Sequence, residues 1–327
     1  MTDRARRRTR SLPADALGIA EAAACLKAGG LVAMPTETVY GLAADATSDK
    51  AVAAIYAAKQ RPTFNPLIAH ILDRAAAARE AVFDAHAERL TEAFWPGPLT
   101  IVAPAAAACR VSALARAGLD SVALRAPSHP AARALIEAAG IPLAAPSANR
   151  SGHVSPTLAE HVLADLDGRI EIVLDAGPTE AGLESTIVAC LGGRPRLLRH
   201  GALARETLEE TLGFALTAEA PTDEAAPRGP GMLASHYAPA ARLRLDARDA
   251  ATDEAALDFA GALAASRAAT RLDLSPSGDL TEAAANLFAY LRALDRTGAN
   301  KIAVAPIPPH GLGAAINDRL HRAAAPR

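Results

Sequence analysis

Two cations one residue apart, Lys59 and Arg61, stand beside Pro62, which discourages helix continuation. Far downstream, the small polar residues Ser147 and Asn149 are flanked by apolar residues. A guanidinium can donate two hydrogen bonds to phosphate oxygens, an ammonium acts as a point charge, and hydroxyl or amide groups add neutral donors. Together these groups match the requirements of a triphosphate. A surface turn followed by a capped loop is the alternative interpretation, because the Lys-x-Arg spacing is common.

The composition limits the class of protein. The chain has 327 residues, half of them apolar and only 3% aromatic, so a large core must be built from aliphatic residues and alanine. A formal net charge of -2 argues against strong direct binding of nucleic acid by the whole protein. The scattered Cys25, Cys109 and Cys190 include no C-x-x-C pair, which disfavours a zinc knuckle or a disulfide framework. We therefore expect a cytoplasmic protein.

Targeting signals are not evident. No apolar run reaches the roughly 20 residues that span a bilayer, so we expect no membrane association. The arginine run at 6–8 lacks the apolar segment of a signal peptide. This start of the chain is predicted to be a solvated tail, with an RNA-contacting arm as the alternative.

Apolar periodicity and turn signals predict alternating strands and helices, hence a layered α/β domain in which helices cover a sheet. The predicted helices are 15–27, 49–58, 73–94 and 129–139, and the predicted strands are 31–34, 67–71, 99–102, 121–125, 143–145, 170–174, 185–189 and 196–200. No G-x-G-x-x-G or G-x-x-x-x-G-K-[ST] sequence occurs, so the common loops for dinucleotide and nucleoside triphosphate binding are absent.

Changes in the composition of the sequence divide the chain into four parts. Residues 1–14 are predicted to be a flexible basic tail and 15–212 the main α/β domain. Proline and glycine between 213 and 240 indicate a linker. Residues 241–327 outline a small second α/β domain, near the lower size for an independent core.

Seven motifs follow one another in a fixed order, and together they resemble the YrdC-like family, specifically the threonylcarbamoyl-AMP synthases. The motifs are PTETVYGL, KQRPTFNPLIAHI, WPGPLT, VALRAP, PSANRSG, STIV and LLRHGAL. Two later segments, SHYAP and HGLGAAINDRLHRA, resemble the linker and accessory domain of the longer, two-domain form. The resemblance implies a three-layer fold with a twisted mixed sheet and a basic groove, followed by a Rossmann-like domain.

The same resemblance implies a reaction. L-threonine, bicarbonate or CO₂, and ATP would yield threonylcarbamoyl-AMP and pyrophosphate, with Mg²⁺ bound mainly by substrate oxygens rather than by a protein metal site. The product would serve downstream tRNA threonylcarbamoyl-transfer proteins, which modify adenosine next to the anticodon.

Roles for individual residues are also implied by the resemblance. The residues implied for L-threonine are Thr38, His70, Arg125, Ala145 through its backbone, and Ser185. Those implied for ATP are Lys59, Arg61, Asn65, Ser121, Ser147, Asn149, Ser155, Arg199 and Tyr237, with Lys59 and Arg61 also catalytic. Each has an ordinary structural alternative: an edge-strand arginine, a structural histidine or a solvated strand end. The linker around Tyr237 would be a lid over the nucleotide, or else a simple tether.

Two other functions fit parts of the sequence. One is a carbamoyl-phosphate-using enzyme on the same fold, as in hydrogenase maturation, which scattered cysteines and the chain length disfavour. The other is an RNA-binding module, which near-neutral charge and few aromatic residues disfavour.

Overall fold

The computed structural model describes residues 8–218 and 236–326 of the chain, and these form two sheets with their helices. The strands are β1 (Arg10–Pro13), β2 (Val32–Met34), β3 (Gly41–Asp45), β4 (Ile68–His70), β5 (Leu99–Pro104), β6 (Ser121–Arg125), β7 (Leu143–Ala144), β8 (Ile172–Asp175), β9 (Thr186–Ala189), β10 (Arg196–Arg199), β11 (Thr217–Ala218), β12 (Arg242–Arg244), β13 (Glu254–Asp258), β14 (Thr270–Asp273) and β15 (Lys301–Val304). The helices are α1 (Ala16–Lys27), α2 (Asp49–Lys59), α3 (Arg74–Ala77), α4 (Ala85–Phe94), α5 (Pro130–Ala139), α6 (Ala159–Leu166), α7 (Arg205–Leu212), α8 (Leu280–Asp295) and α9 (Leu312–Ala324).

The first sheet has eleven strands in the order β1-β8-β2-β3-β7-β4-β6-β5-β9-β10-β11, with parallel and antiparallel pairs. One face packs on α2, α4, α6 and α7, and the other face, at the β2–β8 end, packs on α1 and α5. Residues alternate between the faces, as the pleat requires: Ile101 lies in the larger core and Val102 on the opposite face. The predicted three-layer arrangement with a mixed sheet is confirmed.

The single helix predicted over 73–94 is wrong, because the chain forms the short α3 and the separate α4. Asp84 caps α4 by accepting hydrogen bonds from the backbone of His86 and Ala87. Between the two helices, Ala81 forms an isolated β-bridge with Ala105. A capping side chain and a tertiary backbone pairing therefore outweigh the helix propensity of the alanine-rich stretch.

The predicted tail also needs correction, because residues 10–13 form β1 and pair in parallel with β8. Thr9, just before this strand, is buried, and its hydroxyl donates to the carbonyl oxygen of Ile170 at 2.8 Å. The sequence analysis missed this strand because an edge strand of four largely exposed residues carries little apolar pattern. Residues 1–7 of the predicted tail lie outside the described ranges.

The second domain has a four-stranded parallel sheet, in the order β12-β15-β13-β14, with α8 and α9 packed against it. This agrees with a small second α/β domain, and the finer Rossmann-like classification stays a prediction. Its core continues into the first domain, because Val39, Val154 and Leu183 belong to the same apolar cluster. At Gly182, with φ +67°, a Cβ would lie 2.4 Å from the carbonyl oxygen of Ala284 in α8. The two domains are thus in direct contact.

Much of the predicted linker, residues 219–235, lies outside the described ranges. On its far side, the backbone of Ala238 donates to the carbonyl oxygen of Gly152 at 2.8 Å, which ties the linker's end to the first domain. Among the described residues, none of the helices has the length and apolar character required to cross a membrane.

Candidate active site

A cavity of about 550 Å³, counted with its open mouth, lies where β4, β6, β9 and β10 meet the loop after β2 and the end of the linker. Of the fourteen residues predicted for the site, nine line this cavity. They are Thr38, Arg61, His70, Arg125, Ala145, Ser147, Ser185, Arg199 and Tyr237. Most of the residues predicted for threonine and for the nucleotide therefore share one cavity.

The remaining five residues lie at different distances from the cavity wall. Lys59 donates to the backbone carbonyl oxygens of Ser147, which lines the cavity, and of Asn149. Ser155 donates to Glu184, which also lines the cavity. Asn65 lies in the loop that follows Arg61. Ser121 starts β6, about 13 Å from Arg125 at the strand's end, by the usual rise per residue. Its role in nucleotide binding stays a prediction.

His70 and Arg125 are brought together by strand pairing. β4 and β6 are parallel neighbours, and His70 lies directly opposite Arg125 at their carboxyl ends. Because side chains alternate along a strand, Ala69 and Leu124 point into the core while His70 and Arg125 face the cavity. The apolar strand before each residue thus fixes its direction.

Arg199 reaches the cavity because β10 contains an irregularity. Leu197 pairs with Val188, but the next paired residue is Arg199 with Ile187, so Leu198 is an extra residue. In a regular strand, Arg199 would share the face of Leu197, which lies in the larger core. The extra residue moves Arg199 to the opposite face, as β-bulges commonly do beside functional sites.

Arg125 is held from three sides and is almost fully buried. Its Nη2 donates to Glu37 Oε1 at 2.6 Å, its Nη1 to Thr38 Oγ1 at 2.9 Å, and its Nε to the Gly97 carbonyl at 3.2 Å. Burial raises the pKa of Glu37, but the charge and hydrogen bond of Arg125 outweigh it and hold that pKa below its ordinary value. These contacts use three of the five guanidinium N–H groups. Two remain to bind a carboxylate.

The Thr36 and Thr38 hydroxyls form a chain with a fixed direction. Thr36 donates its only hydroxyl proton to the Val39 carbonyl oxygen at 2.7 Å, so in the 2.8 Å contact between the two hydroxyls Thr38 is the donor. Thr38 Oγ1 then accepts from Arg125 and has one further lone pair. Toward the cavity, Thr38 is an acceptor, which suits a substrate amine or hydroxyl.

His70 is a neutral imidazole in this site. Burial, and then the nearby charge of Arg125, lower the pKa of His70 to about 3. Its Nδ1 is buried and has no hydrogen-bond partner among the described residues. Because buried polar atoms are almost always paired, this nitrogen is the natural contact for a bound molecule.

The predicted catalytic pair, Lys59 and Arg61, divides into two different environments. Lys59 donates to the backbone carbonyls of Ser147, at 2.6 Å, and of Asn149, so its amine holds the 147–149 loop instead of lining the cavity. Burial, and then the charge of Arg61, hold the pKa of Lys59 well below its ordinary value. Arg61 lines the cavity, and burial lowers its pKa to about 10, so it stays charged at neutral pH.

Unpaired buried polar atoms collect around this cavity. Within the two described ranges, eleven buried side-chain atoms lack a hydrogen-bond partner. Seven of them belong to residues of the cavity or its immediate surroundings: Glu37 Oε2, Arg61 Nε, Asn65 Nδ2 and Oδ1, His70 Nδ1, Asn149 Oδ1 and His236 Nδ1. Such a concentration indicates a site whose polar groups are completed by a ligand or by water.

Comparison with known proteins identifies the family. A family model described as "Telomere recombination", of the Sua5, YciO and YrdC proteins, matches residues 24–201, and one described as "Threonylcarbamoyl-AMP synthase, C-terminal domain" matches residues 203–325. A threonylcarbamoyl-AMP synthase of Bacillus subtilis is 40% identical, covering 94% of this chain and 93% of that protein. The chain belongs to the threonylcarbamoyl-AMP synthase family.

Solved structures agree with this membership. Sua5 of Pyrococcus abyssi, crystallised with L-threonine, has a TM-score of 0.88 at 36% identity and covers 97% of each chain. YciO of Escherichia coli, at 21% identity and a TM-score of 0.50, covers 56% of this chain and shows only that the fold of the first domain is shared. The YrdC-like fold predicted for the first domain is thus confirmed.

Three ionisable residues in or beside the synthase-family cavity were not predicted. Glu37 pairs with Arg125, Glu184 lines the cavity, and His236 lines it beside Tyr237. Glu37 and His236 lie inside the quoted motifs PTETVYGL and SHYAP, and Glu184 directly precedes STIV. Position within or next to a motif was therefore the available signal. A phosphate site calls for positive charge, so that requirement gives no signal for the two carboxylates.

Proposed function

We propose that this protein joins L-threonine, CO₂ or bicarbonate, and ATP into L-threonylcarbamoyl-AMP, releasing pyrophosphate. The observation that carries this proposal is a single cavity with a pre-oriented arginine, Arg125, at one side and the charged Arg61 at another. The first group suits the carboxylate of an amino acid, and the second suits phosphate. Neither group alone points to the reaction, and their presence in one cavity supports it.

In this proposal, the threonine half binds its ligand by fitted hydrogen bonds. The two remaining N–H groups of Arg125 bind the carboxylate of L-threonine. Thr38 Oγ1 accepts from the substrate amine or hydroxyl, and the unpaired Nδ1 of His70 contacts the other of these groups. The L-threonine found in the Pyrococcus abyssi relative supports this half of the proposal.

The chemical step needs little covalent participation from the protein. The free amine of threonine takes up CO₂ as a carbamate, and a carbamate oxygen then attacks the α-phosphorus of ATP. The new P–O bond forms as the bond to pyrophosphate breaks, so charge accumulates on the leaving oxygens. Arg61 and Arg199 line the cavity and would stabilise that charge, which is the main source of catalysis in such transfers.

Mg²⁺ is proposed to enter with ATP as part of the substrate. Among the described residues, no group of three His, Cys, Asp or Glu side chains is placed to hold a metal ion. Phosphate oxygens are the ligands that Mg²⁺ takes in nucleotide sites, where it would neutralise part of the triphosphate charge.

The product would be consumed by a transfer system that modifies adenosine in tRNA. We therefore propose downstream tRNA threonylcarbamoyl-transfer proteins as partners and the cytoplasm as the location.

Pyrophosphate release tests the proposal. The purified full-length protein is incubated with ATP, Mg²⁺ and bicarbonate, with and without L-threonine. Threonine-dependent release together with a threonylcarbamoyl-AMP mass supports the synthase. Release with carbamoyl phosphate but without threonine would instead support the hydrogenase-maturation type of chemistry. Retention of RNA without turnover would support an RNA-binding module.

A further inference from the structure

One arginine of the second domain reaches the wall of the cavity in the first. Arg319, on α9, is fully buried. Its Nε donates to Glu184 Oε2 at 2.8 Å, and its Nη2 donates to the His200 carbonyl oxygen at 2.8 Å. Its guanidinium also lies 5.1 Å from the centre of the Tyr237 ring. Glu184 and Tyr237 both line the cavity, so this one side chain supports two parts of its wall.

Glu184 is an unexpected component of a site for a triphosphate. Its second carboxylate oxygen, Oε1, accepts from Ser155 at 2.5 Å, so both oxygens are engaged. Burial raises the pKa of Glu184, but the charges of Arg319 and Arg199 outweigh it and lower that pKa, which keeps the group ionised. A bare carboxylate at this position would repel phosphate. When Glu184 is paired with Arg319, the net charge of the cavity stays positive.

The second domain also holds Tyr237 from its other side. The ring stacks on Phe288 of α8, with centroids 5.6 Å apart and planes inclined by 20°. The Tyr237 backbone has φ +65°, an unusual conformation for a residue other than glycine. Two second-domain residues, Arg319 and Phe288, thus fix the ring in this position.

We propose that Arg319 is a positioning residue through which the second domain completes the nucleotide half of the cavity. It neutralises Glu184, so that ATP meets no unbalanced negative charge, and it holds Tyr237 against the cavity. This inference rests on the proposed function and adds a specific task for the second domain: it supplies the charge that nucleotide binding requires.

Simple attachment of the two domains is the competing explanation. Another ion pair across the same interface, Arg296 just after α8 with Glu160 of α6 at 3.4 Å, is exposed and includes no residue of the cavity wall. Arg296→Met therefore removes an interdomain contact without changing the charge at the cavity. It is the matched control for Arg319→Met.

The test measures binding of a non-hydrolysable ATP analogue and of L-threonine by calorimetry, using full-length wild type, Arg319→Met, the double variant Arg319→Met/Glu184→Gln, and Arg296→Met. We expect Arg319→Met to weaken the analogue about tenfold and threonine less than about threefold. The double variant should regain analogue affinity to within about threefold of wild type, because the repelling charge is gone. Arg296→Met should bind both ligands like wild type.

Two results would overturn the inference: a folded Arg319→Met that binds the analogue normally, or a double variant that binds it no better than the single one. If Arg319→Met fails to fold, the double variant decides alone. Near-normal binding of the analogue supports neutralisation, and a tenfold loss contradicts it. Binding of the analogue does not require turnover, so these results are separate from threonine-dependent pyrophosphate release by wild type, which tests the proposed function.

Discussion

Two arginines of the same cavity, Arg125 and Arg61, are held in opposite ways. Arg125 has a carboxylate partner, a hydroxyl partner and a carbonyl partner, and its charge is balanced by Glu37 at 2.6 Å. In the part of the chain that the structure describes, Arg61 has one long contact, from Nη2 to the Pro66 carbonyl at 3.3 Å, and its Nε is unpaired. Within the described residues, Arg61 has no carboxylate within salt-bridge distance.

The difference separates two ways of binding. Around Arg125, the protein has already fixed the geometry, so the amino-acid half selects its ligand by the direction of a few hydrogen bonds. Around Arg61, the described residues leave a buried charge without a counter-ion, so the proposed nucleotide half would attract any group that brings negative charge. Selectivity for threonine and affinity for phosphate are therefore expected to respond differently to the same kinds of change.

The largest expected effect is the loss of threonine binding on replacing Arg125 by lysine. Arg125→Lys keeps the charge beside Glu37 but removes the planar fork, so we expect threonine to bind about 100-fold more weakly and ATP less than about threefold. Separate KM values for the two substrates give the measurement. Arg110→Lys is the matched control, because Arg110 also pairs with a buried glutamate, Glu80, away from the cavity. An equal loss for both substrates would contradict the assignment of Arg125 to threonine.

Replacing Arg61 by methionine tests the other half. Arg61→Met should raise the KM for ATP about tenfold and leave the free energy of unfolding within about 1 kcal/mol, because no carboxylate in the described ranges loses a counter-charge. Activity assays and denaturant unfolding supply the two numbers. Arg116→Met is the control: Arg116 also donates only to backbone carbonyls, those of Val111 and Leu119, but lies outside the cavity. A less stable Arg61 variant with normal ATP kinetics would show that Arg61 is structural.

The contrast between the two halves was only partly visible in the sequence. Arg125 and His70 each end an apolar strand, and a strand's alternation fixes which side of the sheet its last residue faces. Their meeting was implied by the resemblance to the family and then confirmed by the pairing of β4 with β6. The alternation of side chains along the strands and the sequence motifs together therefore pointed to most of the residues of the proposed amino-acid half.

The features that the sequence could not show depend on tertiary structure. The extra residue at Leu198 that turns Arg199 into the cavity has no local signature, because a bulge adds one apolar residue to an apolar strand. Lys59 was expected to contact phosphate, but its amine donates to the carbonyls of the 147–149 loop, nearly 90 residues away. Arg319 lies in the motif HGLGAAINDRLHRA, and nothing in that motif indicates its partner, Glu184.

A smaller effect is expected from pH, through the neutral histidine of the amino-acid half. The pKa of His70 is about 3 in the folded protein and near 6.5 when unfolded, so the unfolded state binds more protons between these values. Stability must therefore fall as pH drops below about 6.5, by roughly 1 kcal/mol from this residue at pH 5.5. Urea unfolding at pH 7 and 5.5 should show a weaker decline in His70→Asn. The exposed His321→Asn should decline like wild type, and identical declines in all three proteins would rule out the effect.

The smallest expected effect, and the most direct test of the contrast, is the response to salt. Raising the ionic strength from about 0.05 to 0.5 M shortens the Debye length from roughly 14 to 4 Å, which weakens attraction to an unbalanced charge more than attraction to a paired one. We expect the KM for ATP to rise about threefold at constant free Mg²⁺, with the KM for threonine almost unchanged. In Arg61→Met, the rise for ATP should be smaller, because part of the unbalanced charge is gone. If both KM values rise by the same factor in wild type, the two halves bind by the same kind of interaction, and the distinction between Arg125 and Arg61 is wrong.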